Sequence, residues 1–316
     1  MAPTPSLITP VRRPSVRRRV AWPYRLQLWL MLAPYLAGLG LLILIPALLA
    51  SAVAFTDFDA LRPPRWIGVD NFREMFRDRD FWNGLRASVL FVVLAVPVRV
   101  LGALLLALLL YKPGRGVGLL RAAVYVPTIV PTPAYALLWL YIFNPTFGPL
   151  NGLLVLFPPV RTELIASTAW LVHPLAAQVA VVIMLAWTIG EGFVLLMAAL
   201  QDVPAELYES AAIDGAGAWH RFRAISLPML TPFLLLLTLR DTVLSFQANS
   251  VAAMILTEGG PRFATSYLPY WIYLSAVDHQ RFGYAAAMTL VLFLVTAAII
   301  DLQFRFARRW GGAYLD

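Results

Sequence analysis

The feature that most constrains this chain is a series of apolar stretches, each long enough to cross a bilayer. A helix needs about 20 apolar residues to span ~30 Å of hydrocarbon. Six stretches reach that length, at residues 28–55, 85–111, 119–143, 171–200, 229–256 and 283–304. None alternates with the period of two that a barrel strand requires, so the spans are read as helices. Hydrophobic residues make up 60% of the 316 and charged ones 13%, where soluble domains run nearer a half and a quarter. The sequence predicts an all-α integral membrane protein with six transmembrane helices. In the fourth run, His173 and Pro174 leave the first turns free to lie outside the membrane.

Lys and Arg set the orientation. With both ends inside, fourteen of them fall in inside segments and eight in outside ones. Five of those eight share the 57–83 loop with six acids. This bias predicts cytoplasmic termini, a multi-pass protein of the plasma (inner) membrane, and a cytoplasmic loop at 202–228. Residues 1–27, rich in Pro and Arg, read as a disordered basic cytoplasmic tail. Residues 28–308 read as the membrane domain and 309–316 as a second cytoplasmic tail. Arg12-Arg13 has the look of an export signal, but the apolar run after it is too long for one and is read as a retained span. The net charge of +8 is accounted for by cations at span ends facing anionic lipid, so the lipid bilayer is the expected partner and nucleic acid is not.

Enzyme chemistry finds little to stand on. There is no cysteine, hence no disulfide, thiolate metal site or Cys nucleophile. His173, His220 and His279 are far apart and on different sides. The glycines of 114–118 sit in a short turn with no strand before it, and no Gly-x-x-x-x-Gly-Lys-Ser/Thr occurs. We therefore expect no enzyme, no metal and no cofactor on this chain, and a membrane-embedded hydrolase lacks a constellation.

The 202–228 loop is the only long polar interruption of the second half. It reads as two short helices joined at a turn. Asp202 is placed to cap the first helix, Pro204 suits an early helical position, and Gly215 stops it because Gly takes φ > 0 without steric cost. Trp219, Phe222 and Ile225 give the second helix one apolar side, and Pro228 opens the next span. Ser210, Ala211 and Ala212 are small, so another protein's backbone can approach them.

This loop resembles the EAA loop of ABC-importer permeases. The pattern is Glu-Ala-Ala, three residues, Gly, nine residues, then Ile-x-Leu-Pro. Glu209, Ala211, Gly215, Ile225, Leu227 and Pro228 match it, and Ser210 replaces Ala, small for small. Residues 67–86, 144–151, 256–261 and 282–288 are similar to the carbohydrate-uptake branch of these permeases, and the similarity covers about 30–308. Two departures are Glu258 in place of a usual Gly and a 247–254 stretch without aromatic residues. The resemblance implies a type I importer core built from the last five spans. It implies one permease subunit of an ATP-driven importer for a sugar or sugar-like solute. It also implies a second homologous permease subunit, a dimeric cytoplasmic ATPase that binds the ATP and Mg, and an extracytoplasmic solute-binding protein. ATPase coupling would fall to Glu209, Ser210, Ala211, Ala212, Asp214 and Gly215.

For the substrate pathway the candidates are Gly190, Glu191, Phe193, Phe246, Gln247 and Asn249, on the fourth and fifth spans. Amides and a carboxylate bond hydroxyls, and phenyl rings stack on a sugar face. Interhelical bonding and packing explain the same residues equally well. Ionisable groups in spans cost about 2.5–3.5 kcal/mol each on insertion, so they face protein or water. Arg240 and Asp241 either neutralise each other or serve the pathway, and Arg99 with Glu191 is an open pairing. Two rivals remain: a permease for a polyol or glycerol phosphate, and an ion-gradient-driven secondary transporter, which calls for an inverted repeat and a midplane acidic site.

Overall fold

The computed structural model describes residues 24–155 and 170–311, with the side chains of 154, 155, 248, 249 and 309–311 outside that description. The basic tail expected at 1–27 lies outside it up to residue 23, as does the side-chain detail of the 309–316 tail. Among the described residues every regular element is helical apart from one antiparallel bridge, Thr56 to Trp66.

The chain divides into two units between Ala50 and Ser51. In the first, α1 (Tyr24–Leu39) continues through a π turn (Gly40–Leu44) into α2 (Ile45–Val53). Together they make one apolar span, Tyr24–Val53. None of its described residues is buried. The π turn has a local cause. Pro46 has no N–H to give the Leu42 carbonyl, so the ladder widens just before it.

The second unit holds α3 (Asp70–Arg77), α4 (Arg79–Leu110), α5 (Val117–Tyr125) with a 3-10 turn (Val126–Ile129), α6 (Thr132–Ile142) and α7 (Pro149–Val155). There follow α8 (Pro174–Ala186), α9 (Gly190–Gln201), α10 (Ala205–Ile213), α11 (Ala218–Arg221), a π turn (Phe222–Ser226) and α12 (Leu227–Leu256). Last come α13 (Leu268–Tyr273) and α14 (Phe282–Gly311). The two long helices α4 and α12 pack on each other and run through both large cores. One core joins Phe91 and Ala95 of α4 to Tyr135, Met184, Ala252 and Tyr267. The other joins Val96, Val100 and Ala103 of α4 to Phe193, Leu196, Leu237 and Phe246. Ala87 and Ala95 of α4 are buried in the first core and Ala103 and Ala107 in the second, and small residues there let neighbouring helices close in.

The six apolar runs survive, two of them in bent form. The run read at 119–143 turns by 106° between Val117–Ile129 and Thr132–Ile142. Pro127, Pro131 and Pro133 deny the helix three N–H groups within seven residues, and Pro131 sits extended at φ −58°, ψ 140°. The 171–200 run bends by 50° between Pro174–Ala186 and Gly190–Gln201. The second run begins at Arg79 rather than 85, because the Asp78 carboxylate accepts the Asp80 N–H at 2.9 Å and caps the helix early. Arg86 is thereby two turns into α4 rather than at a span's edge. The 57–83 segment is fastened by its own charges and by α14. Arg65 pairs with Asp57, Arg281 donates to Glu74 at 2.6 Å, and Tyr284 donates to Asp78 at 2.6 Å.

Candidate functional site

The 202–228 loop differs from its sequence reading at both ends. Asp202 keeps helical dihedrals as the C-cap of α9, two positions upstream of where an N-cap for α10 would act, and no side-chain capping bond is made there. Pro204 itself occupies the N-cap of α10, at φ −58°, ψ 129°. At the other end there is no separate second helix. α11 passes through the π turn directly into α12, and the chain is helical from Ala218 onward. Pro228 lies two residues past that π turn, the same offset as Pro46 from its own, and the same lost N–H explains both.

Between these ends α10 stands clear of the core, with no buried residue. Glu209, Ser210, Ala212 and Asp214 are exposed and Ala211 is half-buried. The helix stops in a Schellman arrangement. The Ala216 N–H donates to Ala211 O at 2.9 Å and the Gly215 N–H to Ala212 O at 3.1 Å. Gly215 takes φ +77°, and a Cβ built there meets nothing within 4 Å. The position demands glycine for its backbone rather than for room. Ile213 and Trp219 are exposed beside it, at 88% and 71%. One tie returns to the bundle. The Tyr208 hydroxyl lies 2.9 Å from Ser226 Oγ, joining α10 to the π turn at the root of α12. Sequence reasoning missed this pair, because its members lie 18 positions apart in the chain.

The pathway candidates occupy three settings. Gly190, Phe193 and Phe246 are packing positions. A Cβ on Gly190 would lie 2.7 Å from the Val124 carbonyl, so α9 begins in backbone contact with α5. Phe193 and Phe246 are each 2% exposed in the same core. Gln247 is exposed and lines a cavity of about 380 Å³ between α12 and α14, with Val243, Thr289, Phe293 and Thr296. The Asn249 side chain is outside the described residues.

Glu191 belongs to the third setting, a chain of four charges. Arg99 Nε of α4 is 3.6 Å from Asp241 Oδ2 of α12. Asp241 Oδ1 is 3.5 Å from Arg240 Nη1, and Arg240 also pairs with Glu191 of α9. Arg99 and Glu191 are therefore not partners. The largely buried Arg99 takes the more deeply buried Asp241, and the half-exposed Glu191 takes the more exposed Arg240. Signs alternate along the chain, so no charge in this apolar setting lacks an opposite neighbour. Beside it the Gln303 amide donates to Thr242 Oγ1 at 2.9 Å, tying α14 to α12.

Residues 99–312 match the profile of a family described as the inner membrane component of binding-protein-dependent transport systems. The chain belongs to this family. As a binding-protein-dependent transport component it crosses the inner membrane several times, and the 202–228 loop and all four charges lie inside the matched region. Its sequence is 31% identical to a lactose transport system permease protein of Rhizobium radiobacter over 89% of this chain and 93% of that one. It is 32% identical to an sn-glycerol-3-phosphate transport system permease protein of Agrobacterium fabrum, over 77% of this chain and 81% of that one. Its fold is that of a chain in the crystal structure of a bacterial ABC transporter that imports the acidic polysaccharide alginate. That likeness has a TM-score of 0.73 and 22% identity, covering 90% of this chain and 96% of the other.

Proposed function

We propose that this protein is one of two permease subunits of an ATP-driven importer for a sugar or sugar-like solute. Both termini and the 202–228 loop face the cytoplasm. An extracytoplasmic binding protein delivers the solute, and a dimeric ATPase, which holds the ATP and Mg, docks on α10. The observation that carries this reading is α10 itself. A short helix without a buried residue, ended by a glycine-dependent cap and flanked by exposed Ile213 and Trp219, is a surface built for a partner. Glu209 would supply a charged contact, while Ser210, Ala211 and Ala212 let the partner's backbone come close, and Asp214 with Gly215 fixes where the helix stops.

Coupling needs only that the two ATPase states hold α10 differently. Movement of α10 would pass through the Tyr208–Ser226 contact to α12, and along α12 to the four charges and Gln247. Phe193 and Phe246 would present a stacking face only when α9 and α12 separate. The relatives named for lactose and for sn-glycerol-3-phosphate support solutes that carry several hydroxyls.

The test is co-purification and ATPase assay of the reconstituted complex. Glu209→Lys and Gly215→Val should both reach the membrane folded, yet lose ATPase association or solute-stimulated hydrolysis. A non-glycine residue at φ > 0 costs roughly 1 kcal/mol, more when β-branched. If both variants bind the ATPase and couple as the parent does, α10 is not the transmission element.

A further inference from the structure

We propose that a cavity at the end of the bundle opposite the 202–228 loop binds the acid group of a charged saccharide. The proposal rests on the importer reading and narrows its solute class. The cavity has about 190 Å³ and is formed by three separate parts of the chain. α4 brings Asn83, Arg86 and Leu90, α8 brings Gln178, and the segment between α12 and α13 brings Arg262 and Phe263. With cytoplasmic termini this is the outer mouth of the bundle.

Three observations fix the chemistry. Arg86 and Arg262 both line the cavity, and neither guanidinium has an ion-pair or hydrogen-bond partner among the described residues. Acids are not scarce at this end, since Arg65, Arg73 and Arg281 each hold a carboxylate. Next, Gln178 is 5% exposed, and its Nε2 donates to Ala264 O at 2.7 Å while its Oε1 has no partner. A buried amide oxygen without a donor is costly, and a hydroxyl reaching it relieves that cost. Finally, Arg262 and Phe263 have φ +49° and +62°, two successive non-glycine residues in the left-handed region. That uncommon conformation sets a guanidinium and a 51% exposed phenyl ring on the same cavity.

Each class of ligand meets these demands differently. A neutral sugar offers hydroxyls to Gln178 and Asn83 and a C–H face to Phe263, but leaves two guanidinium groups unmatched. A lipid headgroup offers a phosphate to the arginines and no ring for Phe263. A uronate or sugar phosphate meets all of them, because its acid takes charge-assisted bonds from the arginines while its ring and hydroxyls satisfy the remainder.

The test uses the full complex in phosphatidylcholine nanodiscs, with digalacturonate and the neutral digalactose as probes in equilibrium dialysis. Digalacturonate should bind more tightly, and the ratio of the two affinities should shrink as salt rises. Arg86→Gln and Arg262→Gln should each lower that ratio about ten-fold, with Arg262→Lys falling between, as expected for loss of one charge-assisted hydrogen bond. Equal affinity for the two probes overturns the proposal, and so does an unchanged ratio in both Gln variants. A third overturning result is phosphatidylglycerol that co-purifies with the parent and is lost from the variants, with no saccharide preference, which assigns the arginines to a lipid headgroup. The importer reading fails separately, through normal coupling in Glu209→Lys and Gly215→Val. Intact coupling defects without acid preference sink only the present inference.

Discussion

Asp241 has a side chain only 3% exposed and stands between two arginines. Replacing it with Asn leaves Arg99 and Arg240 facing each other with one fewer anion. Breaking a buried pair from one side costs about 3–5 kcal/mol, whereas removing both partners costs less. Asp241→Asn should therefore melt well below the parent in nanodiscs, and the double variant Arg99→Leu/Asp241→Leu should recover much of the loss. A double variant as unstable as both single changes added together would mean that Arg99 and Asp241 are not coupled. Two glycines give a second residue-level contrast. Gly190→Val drives a side chain into the Val124 carbonyl, while Gly215→Val meets open space and pays only for its backbone angle. Thermal melts should rank Gly190→Val as clearly the more damaging, and the reverse order would contradict the packing of α9 on α5. The sequence announced all four of these charges, because a charge in an apolar run is conspicuous. It did not announce their pairing, which depends on how far each helix is rotated about its own axis. Gly190 was legible as special, but its contact with α5 was not, since a glycine chosen for a helix contact looks the same as one chosen for a ligand.

At the scale of elements, the 202–228 loop was readable down to its glycine stop, because turn chemistry is local. Its attachment to the bundle was not. Tyr208→Phe removes the hydroxyl that meets Ser226, a loss of about 0.5–1.5 kcal/mol. We expect the variant to keep its ATPase while moving less solute per ATP hydrolysed, measured in proteoliposomes. An unchanged ratio would route transmission through other contacts of α10. The 57–65 segment offers a pH test. Asp57 is held below the usual carboxylate range chiefly by the Arg65 backbone N–H, and Asp59 by the backbone N–H groups of Arg62 and Leu61. Their folded pKa values are depressed, so their hold on the segment is complete above the ordinary value near pH 4 and is lost as pH falls through the folded values. The chain has no cysteine, so a spin label on Leu61→Cys is unique. Its mobility should be low at pH 6 and rise on acidification toward pH 3. Equal mobility at both values would show that these turns do not order the segment.

For the molecule as a whole, hydropathy supplied the number of crossings if each bent pair counts as one. It could not supply the bends, because a window average carries no direction, and the cluster Pro127, Pro131, Pro133 was the available signal. Nor could it separate the first span from the rest, since Tyr24–Val53 looks like any other apolar run. The orientation drawn from Lys and Arg is open to direct measurement. Reporter fusions after Asp316 and after Gly260 should report opposite sides, cytoplasm and exterior, and the same side for both would undo the six-span topology. The alternating charges have one more consequence. Arg240 and Asp241 are neighbours on α12, so that helix can shift past α4 and α9 without displacing net charge through the electric field of the membrane. One uncompensated charge moved across the whole bilayer would be worth about 2.3 kcal/mol per 100 mV. Uptake of a neutral solute should then run at the same rate with the bilayer polarised or short-circuited, and Asp241→Asn, by leaving α12 with a lone cation, should make that rate respond to voltage.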